Sequence, residues 1–358
     1  MRHHLELGLD TFGDITVDAN GARRSHPQVI REVIDEAVLA DQVGVDFIGL
    51  GEHHREDFAI SAPDMVLATI AGRTNRIRLG SAVTVLSSDD PIRVFQRFAT
   101  LDAASNGRAE VILGRGSFTE SFPLFGFALD DYNTLFDEKL DLYAAVHAYD
   151  RSRNPVNWRG TTRLPVINQR VYPTTESGSL MTWIGVGGSP ASVVRAARYG
   201  FPLMLAVIGG DPRRFAPYID LYQRELEQRG TGPLPVGVHS PGHIATTDAM
   251  AREQLWPGYE QMRNRIGAER GWPRTSRGEF EQEIQHGSLY VGSPETVAQK
   301  IAATASALDI ARFDLKYGAG PLQRAHLMSS IELYGREVIP RVRELLGIEQ
   351  PTVGATPA

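Results

Sequence analysis

Short apolar runs alternate with helix-like segments eight times along this chain, and no other feature constrains the fold as strongly. Between the runs, apolar residues recur at helical spacing, as Val94, Phe95 and Phe98 do after Pro91. This alternation predicts an α/β fold with a parallel sheet, and eight strands favour a closed (β/α)8 barrel, or TIM barrel. A doubly wound open sheet is the alternative. The predicted strands are Leu5–Asp10, Phe47–Leu50, Ile77–Leu86, Ala109–Gly114, Met181–Val186, Leu203–Val207, Leu234–Val238 and Phe313–Lys316.

Two segments interrupt the alternation. Residues 151–180 contain several Gly and Pro turn signals and are predicted to form an inserted hairpin and a meander. Residues 267–289 are polar and contain glycine, and their length favours a mobile functional segment after strand seven that could act as a lid. Residues 1–348 are therefore predicted to form a single domain. The small, proline-interrupted tail 349–358 is predicted to be disordered.

The composition argues against several classes of partner and site. The 37 Lys and Arg residues are outnumbered by 43 Asp and Glu, so the net charge of -6 offers no basic surface for nucleic acid or an anionic membrane. The chain has no cysteine, which excludes disulfides, thiolate nucleophiles and zinc-thiolate sites. The sequence pattern predicts neither a secretory signal nor a membrane-spanning segment. We expect a soluble, cytoplasmic protein that binds small neutral or anionic ligands.

The second predicted strand ends in three titratable residues, Glu52, His53 and His54. Alternation along a strand places Glu52 and His54 on one face and His53 on the other, so only part of the trio can face a common cavity. An imidazole can exchange a proton near neutral pH beside a reacting oxygen atom. A histidine that is hydrogen-bonded to fix the loop is an equally good interpretation of His53. Glu52 is expected to orient an imidazole or to accept hydrogen bonds from backbone amides.

A second group of residues suggests an anion site. Gly187-Gly188-Ser189-Pro190 leads from strand five into a helix, where backbone amides and a hydroxyl can bind phosphate. Arg115 follows strand four and could bind the same phosphate. The alternatives are a plain helix cap and a surface ion pair. Since the sequence has no dinucleotide or Walker motif, a mononucleotide such as flavin mononucleotide (FMN) suits it better than a nucleoside triphosphate. The other residues expected at this face are Thr11, Phe12, Val83, Thr84, Val85, His239, Lys316 and Tyr317.

The sequence resembles the bacterial luciferase-like family of flavin-dependent monooxygenases. The resemblance covers nearly the whole chain and depends on the order and spacing of five segments: Gly49–His54, Arg78–Leu86, Gly107–Gly116, Trp183–Pro190 and Gly292–Val297. It implies a (β/α)8 barrel, a homodimer or higher homo-oligomer, and reduced FMN bound at the carboxyl ends of the strands.

The resemblance also implies a role for each site residue. His53 matches the catalytic imidazole, and Ala82-Val83, followed by Thr84, matches a bulge, often with a non-prolyl cis peptide, on which the isoalloxazine ring packs. The phosphate contacts match Arg115, Gly187, Gly188 and Ser189. Independently of the resemblance, Phe12, His54 and His239 are candidate substrate contacts because they follow predicted strands. Gly114 stands where the luciferases have a reactive cysteine, and Asp89-Asp90-Pro91 departs from their His-Pro corner. Both departures argue against light emission and a long-chain aldehyde substrate.

The implied reaction is oxygenation of a small organic substrate by O2 and reduced FMN, through a C4a-(hydro)peroxyflavin in a dry pocket. Reduced FMN would be a co-substrate, and a separate flavin reductase would be the partner that supplies it. Two alternatives use the same pocket: a deazaflavin-dependent hydride-transfer oxidoreductase, and a flavin-binding protein without turnover. A metal-dependent hydrolase is a third. Its ligands would be His53, His54, His239, His243 and His286, but no H-x-H or H-E-x-x-H spacing supports it, and no metal is expected.

Overall fold

The barrel strands form one parallel sheet that closes on itself. In the computed structural model, which describes residues 5–176 and 178–348, the strands are β1 (Glu6–Thr11), β2 (Phe47–Leu50), β3 (Arg78–Ser81), β4 (Thr84–Val85), β5 (Ala109–Gly114), β6 (Val156–Trp158), β7 (Val166–Gln169), β8 (Met181–Val186), β9 (Leu203–Ala206), β10 (Val236–Ile244), β11 (Tyr290–Gly292) and β12 (Arg312–Lys316). The ring runs β1, β2, β3, β5, β8, β9, β10, β12 and back to β1, with every pair parallel. This ring confirms the predicted (β/α)8 barrel and excludes the open sheet.

Helices cover the outside of the barrel. They are α1 (His26–Gln42), α2 (Pro63–Ala71), α3 (Pro91–Ala104), α4 (Ser121–Phe125), α5 (Tyr132–Ser152), α6 (Pro190–Tyr199), α7 (Ala216–Gln228), α8 (Asp248–Arg270), α9 (Arg277–Gln285), α10 (Pro294–Leu308), α11 (Arg324–Leu333) and α12 (Ile339–Leu346). At the start of α3 the Asp90 carboxylate accepts hydrogen bonds from the backbone N–H groups of Ile92 and Arg93. The Asp-Asp-Pro corner therefore caps this helix, with Pro91 in its first turn, where no N–H donor is needed.

Two apolar clusters hold the fold together. The larger one lies between the strands and the helices. The smaller one lies inside the barrel and consists of Phe47, Ile112, Trp183 and Met204, with Ala82 and Val83 packed against it. Its residues lie in the first halves or near the middle of their strands, so the amino-terminal part of the barrel is filled. Free space is left at the carboxyl ends of the strands, where a barrel of this kind binds its ligands.

Two predicted strand boundaries were wrong, and both errors have a physical cause. The third strand was predicted to run continuously over 77–86, but it stops at Ser81, and the short β4 resumes beyond Ala82 and Val83. The seventh was predicted to end at Val238, but it continues to Ile244 because its last residues pair with β11. The spacing of apolar residues does not show that a strand is interrupted, nor that its last residues pair with another strand further along the chain.

The prediction for the inserted segment is confirmed, whereas the prediction for the long connection after strand seven is wrong. Residues 151–180 contain the antiparallel hairpin of β6 and β7, as predicted. The segment 267–289, predicted as one long irregular stretch, is largely helical: α8 extends to Arg270, and α9 fills 277–285. Ser276 starts α9 with a capping box to Glu279, a local signal that the polar composition concealed. The predicted disordered tail, 349–358, lies outside the described residues.

Candidate functional site

A cavity of about 430 Å³ opens at the carboxyl ends of the barrel strands. Its walls are mostly apolar, and its upper part is covered by side chains from the end of α8 and the residues that follow. Among the apolar lining residues are Phe12, Phe58, Val83, Met262, Ile266 and Trp272. An apolar cavity with a few polar groups is the usual form of a site for a small organic molecule.

His53 faces this cavity from the loop after β2. Its imidazole lies among three aromatic rings, 4.5 Å from Phe58, 4.7 Å from Phe12 and 5.1 Å from Phe118, measured between ring centroids. Its Nδ1 is 3.7 Å from Oε1 of Glu120, which is within reach of an ion pair but too long for a good hydrogen bond. The rings restrict the access of water to the imidazole.

Glu52 also lines the cavity, contrary to the alternation predicted for this loop, whereas His54 does not. The carboxylate of Glu52 is 3.0 Å from Nε2 of His54, and its second oxygen accepts a hydrogen bond from the backbone N–H of Val85. Both roles expected for Glu52 are confirmed. The ring of His54 packs against Phe125 and is not part of the cavity wall, so the structure separates this candidate substrate contact from His53.

The break after β3 forms a floor for part of the cavity. The peptide bond between Ala82 and Val83 is cis, as the family resemblance led us to expect, and both residues line the cavity. Thr84 does not line it. Its buried hydroxyl donates to Oγ of Ser81 at 2.8 Å and so ties the two sides of the break together.

Two glycines on neighbouring strands make room for the side chain of Val83. A Cβ added at Gly114 would lie 2.5 Å from Cγ2 of Val83, and one added at Gly185 would lie 3.0 Å from Cγ1. Any larger residue at position 114 would therefore push Val83 out of place. This contact gives a steric reason for glycine at the position where the luciferases have a cysteine.

Polar groups that could bind an anion lie at one edge of the cavity. Leu113 of β5 pairs with Ile184 of β8, so Arg115 and Gly187 follow adjacent strands at the same level. Both line the cavity. The Arg115 guanidinium donates to Oδ1 of Asn133 at 3.0 Å and packs over the ring of Tyr132.

The start of α6 completes this edge. Gly188 has a φ of +100°, a conformation that favours glycine, and Ser189 is the N-cap although its hydroxyl makes no capping hydrogen bond. A Cβ added at Gly187 would meet nothing within 4 Å, so open space lies in front of this backbone. Gly188 and Ser189 are not in the cavity wall, whereas Ser192 is. Ser192 was missed by the sequence reasoning, although a serine three residues into a helix shares a face with its N-cap.

A second polar group lies elsewhere in the barrel mouth. Nδ1 of His239 is 2.6 Å from Oδ2 of the buried Asp10, and both residues line the cavity. The ring of Phe12 stacks on that of His239, with centroids 6.2 Å apart. Lys316, also in the lining, binds Asp14 at 2.8 Å, and its ammonium lies 4.7 Å from the centre of the Phe12 ring. Sequence reasoning named Phe12, His239 and Lys316 but missed Asp10.

Asp314 is a buried carboxyl group beside this pair, and it too was missed. It is the register partner of His239 in the β10–β12 ladder. Burial raises its pKa well above the usual value, which outweighs the opposing attraction of Arg312. The alternation of inward-facing positions, Asp314 and Lys316, was the signal that could have revealed it.

The end of α8 is tied to the loop after β2 across the mouth of the cavity. Arg55 forms two hydrogen bonds with the carboxylate of Glu269, and Arg265 binds Glu56. The guanidinium of Arg270 packs over Phe118, 4.9 Å from the ring centre. The cover over the cavity is therefore formed mainly by the last turns of α8, together with Trp272 just after the helix.

The metal alternative has no built site in the part of the chain that the structure describes. In residues 5–176 and 178–348, no group of three or more His, Asp or Glu side chains is placed to hold a metal ion. His243 is bound to Gln254 at 2.8 Å, and burial lowers its pKa to about 4. Over the same residues, no helix is both long and apolar enough to cross a bilayer.

The family model described as "Luciferase-like monooxygenase" matches residues 11–309. This match takes in β2 through α10 and therefore every cavity-lining residue named above except Asp10 and the residues from β12 onward. The chain belongs to the luciferase-like monooxygenase family. Membership of this family supports the prediction that the protein is an oxidoreductase.

Individual relatives match over different shares of the chain. Two Sinorhizobium fredii (strain NBRC 101917 / NGR234) proteins, y4vJ and y4wF, are 35% and 34% identical, and the matches span only 35% and 36% of their own lengths. A 4-hydroxyprotoasukamycin monooxygenase from Streptomyces nodosus subsp. asukaensis is 28% identical over 86% of this chain and 85% of its own. The oxygenase component of a flavin-dependent trigonelline monooxygenase from Acinetobacter baylyi (strain ATCC 33305 / BD413 / ADP1) is 32% identical over 27% of each chain.

Solved structures share the fold of this family member. Monooxygenase RslO1 from Streptomyces bottropensis has a TM-score of 0.79 and 23% identity, covering 94% of this chain and 99% of its own. The oxygenating constituent of 3,6-diketocamphane monooxygenase from Pseudomonas putida, in complex with FMN, has a TM-score of 0.76, 19% identity and coverage of 94% and 98%. The coenzyme F420 dependent tetrahydromethanopterin reductase from Methanopyrus kandleri has a TM-score of 0.70, 17% identity and coverage of 95% and 99%.

Proposed function

We propose that this protein is a flavin-dependent monooxygenase that uses reduced FMN and O2 to oxygenate a small organic substrate. One observation carries the proposal: a single apolar cavity combines a floor at Ala82-Val83 with an anion-binding edge at Arg115 and the start of α6. FMN consists of a flat ring system joined to a phosphate, and the cavity offers a surface suited to each part. The FMN complex of the diketocamphane enzyme, which has the same fold, supports the choice of cofactor.

The phosphate would be held by this chain at three points. Arg115 would contribute a guanidinium, and the first turn of α6 would contribute the backbone N–H of Ala191. Pro190 has no N–H, and those of Ser192 and Val193 donate to the carbonyl of Ser189. The Ser189 hydroxyl, unused in capping, and the Ser192 hydroxyl would donate further hydrogen bonds. The open space in front of Gly187 would admit the anion close to the backbone.

His53 would be the catalytic residue. Bound reduced flavin supplies two electrons and, with O2, the oxygen atom that is transferred. Since Nδ1 of His53 is directed toward Glu120, Nε2 is the atom that would give or take a proton in the cavity. The aromatic rings around His53 would exclude water, which otherwise diverts such reactions.

The electrons would come from a separate flavin reductase. The trigonelline enzyme among the relatives is named as an oxygenase component, which supports a two-component system. Assembly as a homodimer, or as a higher homo-oligomer, is part of the same proposal.

An anaerobic titration with reduced FMN, repeated with riboflavin, tests the cofactor assignment. We expect the wild-type protein to bind FMN more tightly than riboflavin, which lacks the phosphate. Arg115→Ala should weaken FMN binding by about ten-fold or more and leave riboflavin binding unchanged, because a charge-assisted hydrogen bond contributes about 1.5–3 kcal/mol. Equal losses for both ligands would show that Arg115 acts on the fold and not on the phosphate.

Oxygen consumption with reduced FMN tests the reaction. His53→Ala should retain FMN affinity and lose oxygen consumption that depends on an organic substrate. Tight binding of reduced F420 together with weak binding of FMN would instead support the deazaflavin alternative, which the fold of the Methanopyrus kandleri reductase keeps open. FMN binding without any substrate-dependent oxygen consumption would support a flavin-binding protein without turnover.

A further inference from the structure

We propose that His239, positioned by Asp10, binds an acidic hydroxyl group of the substrate, of the phenol or enol class. This inference rests on the proposed function, since it concerns the molecule that would be oxygenated in the same cavity.

The contact with Asp10 decides which nitrogen of His239 is an acceptor. Asp10 is fully buried, and its Oδ2 lies 2.6 Å from Nδ1 of His239. A carboxylate can only accept hydrogen bonds, so Nδ1 carries the hydrogen. In the neutral imidazole, Nε2 is then left as an acceptor. Asp10 therefore acts as a positioning residue for Nε2.

Nε2 of His239 has no hydrogen-bond partner among residues 5–176 and 178–348. The side chain is 14% exposed, and the residue lines the cavity. An acceptor facing a mostly apolar cavity loses stability unless a ligand brings a donor to it. A substrate that fits this cavity should therefore carry a donor at the end that meets His239.

The surroundings of Nε2 favour a hydroxyl group over an ammonium group. An ammonium has three donors, but the unpaired Oδ1 atoms of Asp10 and Asp314 are shielded from the cavity. The ammonium of Lys316 lies close by, against the ring of Phe12, and would repel a second cation. One neutral acceptor matches the single donor of a hydroxyl.

Phe12 favours a flat molecule and connects the two imidazoles. Its ring stacks on His239 at an interplanar angle of 16° and also contacts His53. A planar substrate with its hydroxyl on His239 would thus occupy the part of the cavity that His53 faces. In the proposed step, the substrate O–H bond breaks, an Nε2–H bond forms, and an imidazolium beside Asp10 faces the new oxyanion. The electron pair left on oxygen makes the ring or enol carbon richer in electrons for oxygenation.

Three matched probes test this inference by equilibrium binding in the absence of flavin: 4-nitrophenol, 4-nitroaniline and 4-nitroanisole. We expect the wild-type protein to bind 4-nitrophenol about ten-fold more tightly than the other two, because only the phenol supplies one acidic hydroxyl. His239→Phe keeps a ring against Phe12 and should bind the three probes alike. His286→Phe is the control and should behave as wild type, because His286 is exposed and is not among the residues that line the cavity.

Asp10→Asn separates positioning from simple packing. The amide can still accept from Nδ1 but no longer balances an imidazolium, so 4-nitrophenol should still bind while the fraction bound as the yellow phenolate falls at a fixed pH. The inference would be overturned if the wild-type protein bound the three probes equally, bound none of them, or preferred the aniline. It would also be overturned if the preference for 4-nitrophenol survived His239→Phe. Because flavin is absent, the outcome is independent of the FMN titration, and either proposal can fail alone.

Discussion

The two ends of the barrel interior hold buried charges in opposite ways. At the amino-terminal end, the Glu110 carboxylate accepts hydrogen bonds from Arg78, Arg312 and the indole N–H of Trp183, and Arg312 also binds Glu6. At the carboxyl end, one carboxylate oxygen of Asp10 and one of Asp314 have no partner in the described residues. The first end is satisfied by the protein itself, whereas the second retains unused hydrogen-bonding capacity.

The same contrast appears in the pKa values of two buried carboxyl groups. Burial alone would raise the pKa of Glu110, but the attraction and hydrogen bonds of Arg312 and Arg78 outweigh it and lower that pKa to about 2. For Asp314 burial wins, and the pKa is raised. The network at the amino-terminal end is complete and is a structural element. At the carboxyl end the two unpaired oxygens are themselves buried, and it is the neighbouring His239 that faces the cavity.

The largest expected effect on stability comes from disrupting the Glu110 network at the amino-terminal end of the barrel. Glu110→Gln should lower the free energy of unfolding by about 3–5 kcal/mol, because it leaves the buried Arg312 without its main counter-charge. The lowered pKa of Glu110 means that this stabilisation is present above its ordinary pKa of 4.5 and is lost as the pH falls toward 2. Urea unfolding at several pH values measures both.

Glu295→Gln is the matched control for that experiment. Glu295 is exposed and paired with Arg341 on the surface, so its replacement should have no measurable effect. If the two variants lose similar free energy of unfolding, the buried ion-pair network at the amino-terminal end does not stabilise the barrel more than a surface ion pair does.

An intermediate effect on stability is expected at the cavity floor, where Val83 packs against Gly114. Gly114→Ala should lower the free energy of unfolding by about 1–3 kcal/mol through its clash with Val83, and the double variant with Val83→Ala should regain most of it. Gly187→Ala, where a Cβ meets nothing, should leave stability unchanged while weakening FMN binding. Thermal and urea unfolding distinguish these cases. An equal effect of the two glycine substitutions on stability would contradict the packing described for Val83.

The smallest expected effect is at Asp314, where substitution should raise the free energy of unfolding and not lower it. The folded-state pKa of Asp314 is raised, so its contribution to stability is complete below the ordinary pKa of 3.8 and is lost as the pH rises through the folded-state value. Asp314→Asn removes this dependence and should slightly raise the free energy of unfolding at pH 8, because the buried amide carries no charge whereas the ionised carboxylate does. A loss of stability in the same urea assay would show that the ionised carboxylate is needed for the fold.

Much of the site could be predicted because each barrel strand ends at the same face. Once Phe47–Leu50 was recognised as a strand, the place of His53 at the cavity followed. The predicted alternation was wrong for Glu52, which lines the cavity with His53 while its carboxylate contacts His54. The break at Ala82-Val83 and its cis peptide came from the family resemblance alone, since nothing in the periodicity of 77–86 signals them.

The contacts between distant residues could not be predicted in this way. Asp10 and His239 are 229 positions apart, and only closure of the ring brings β1 near β10. The cover of the cavity was predicted as a loop because its polar composition hid the helix that crosses the mouth.

By itself, the sequence determined the number, order and direction of the barrel strands and the edge at which the chemistry lies. These follow from local periodicity, which each segment carries without reference to the others. Only the tertiary structure decided which polar groups find partners and which are left facing the cavity. Hydrogen-bond satisfaction depends on side chains contributed by strands far apart in the chain, and no single segment encodes it.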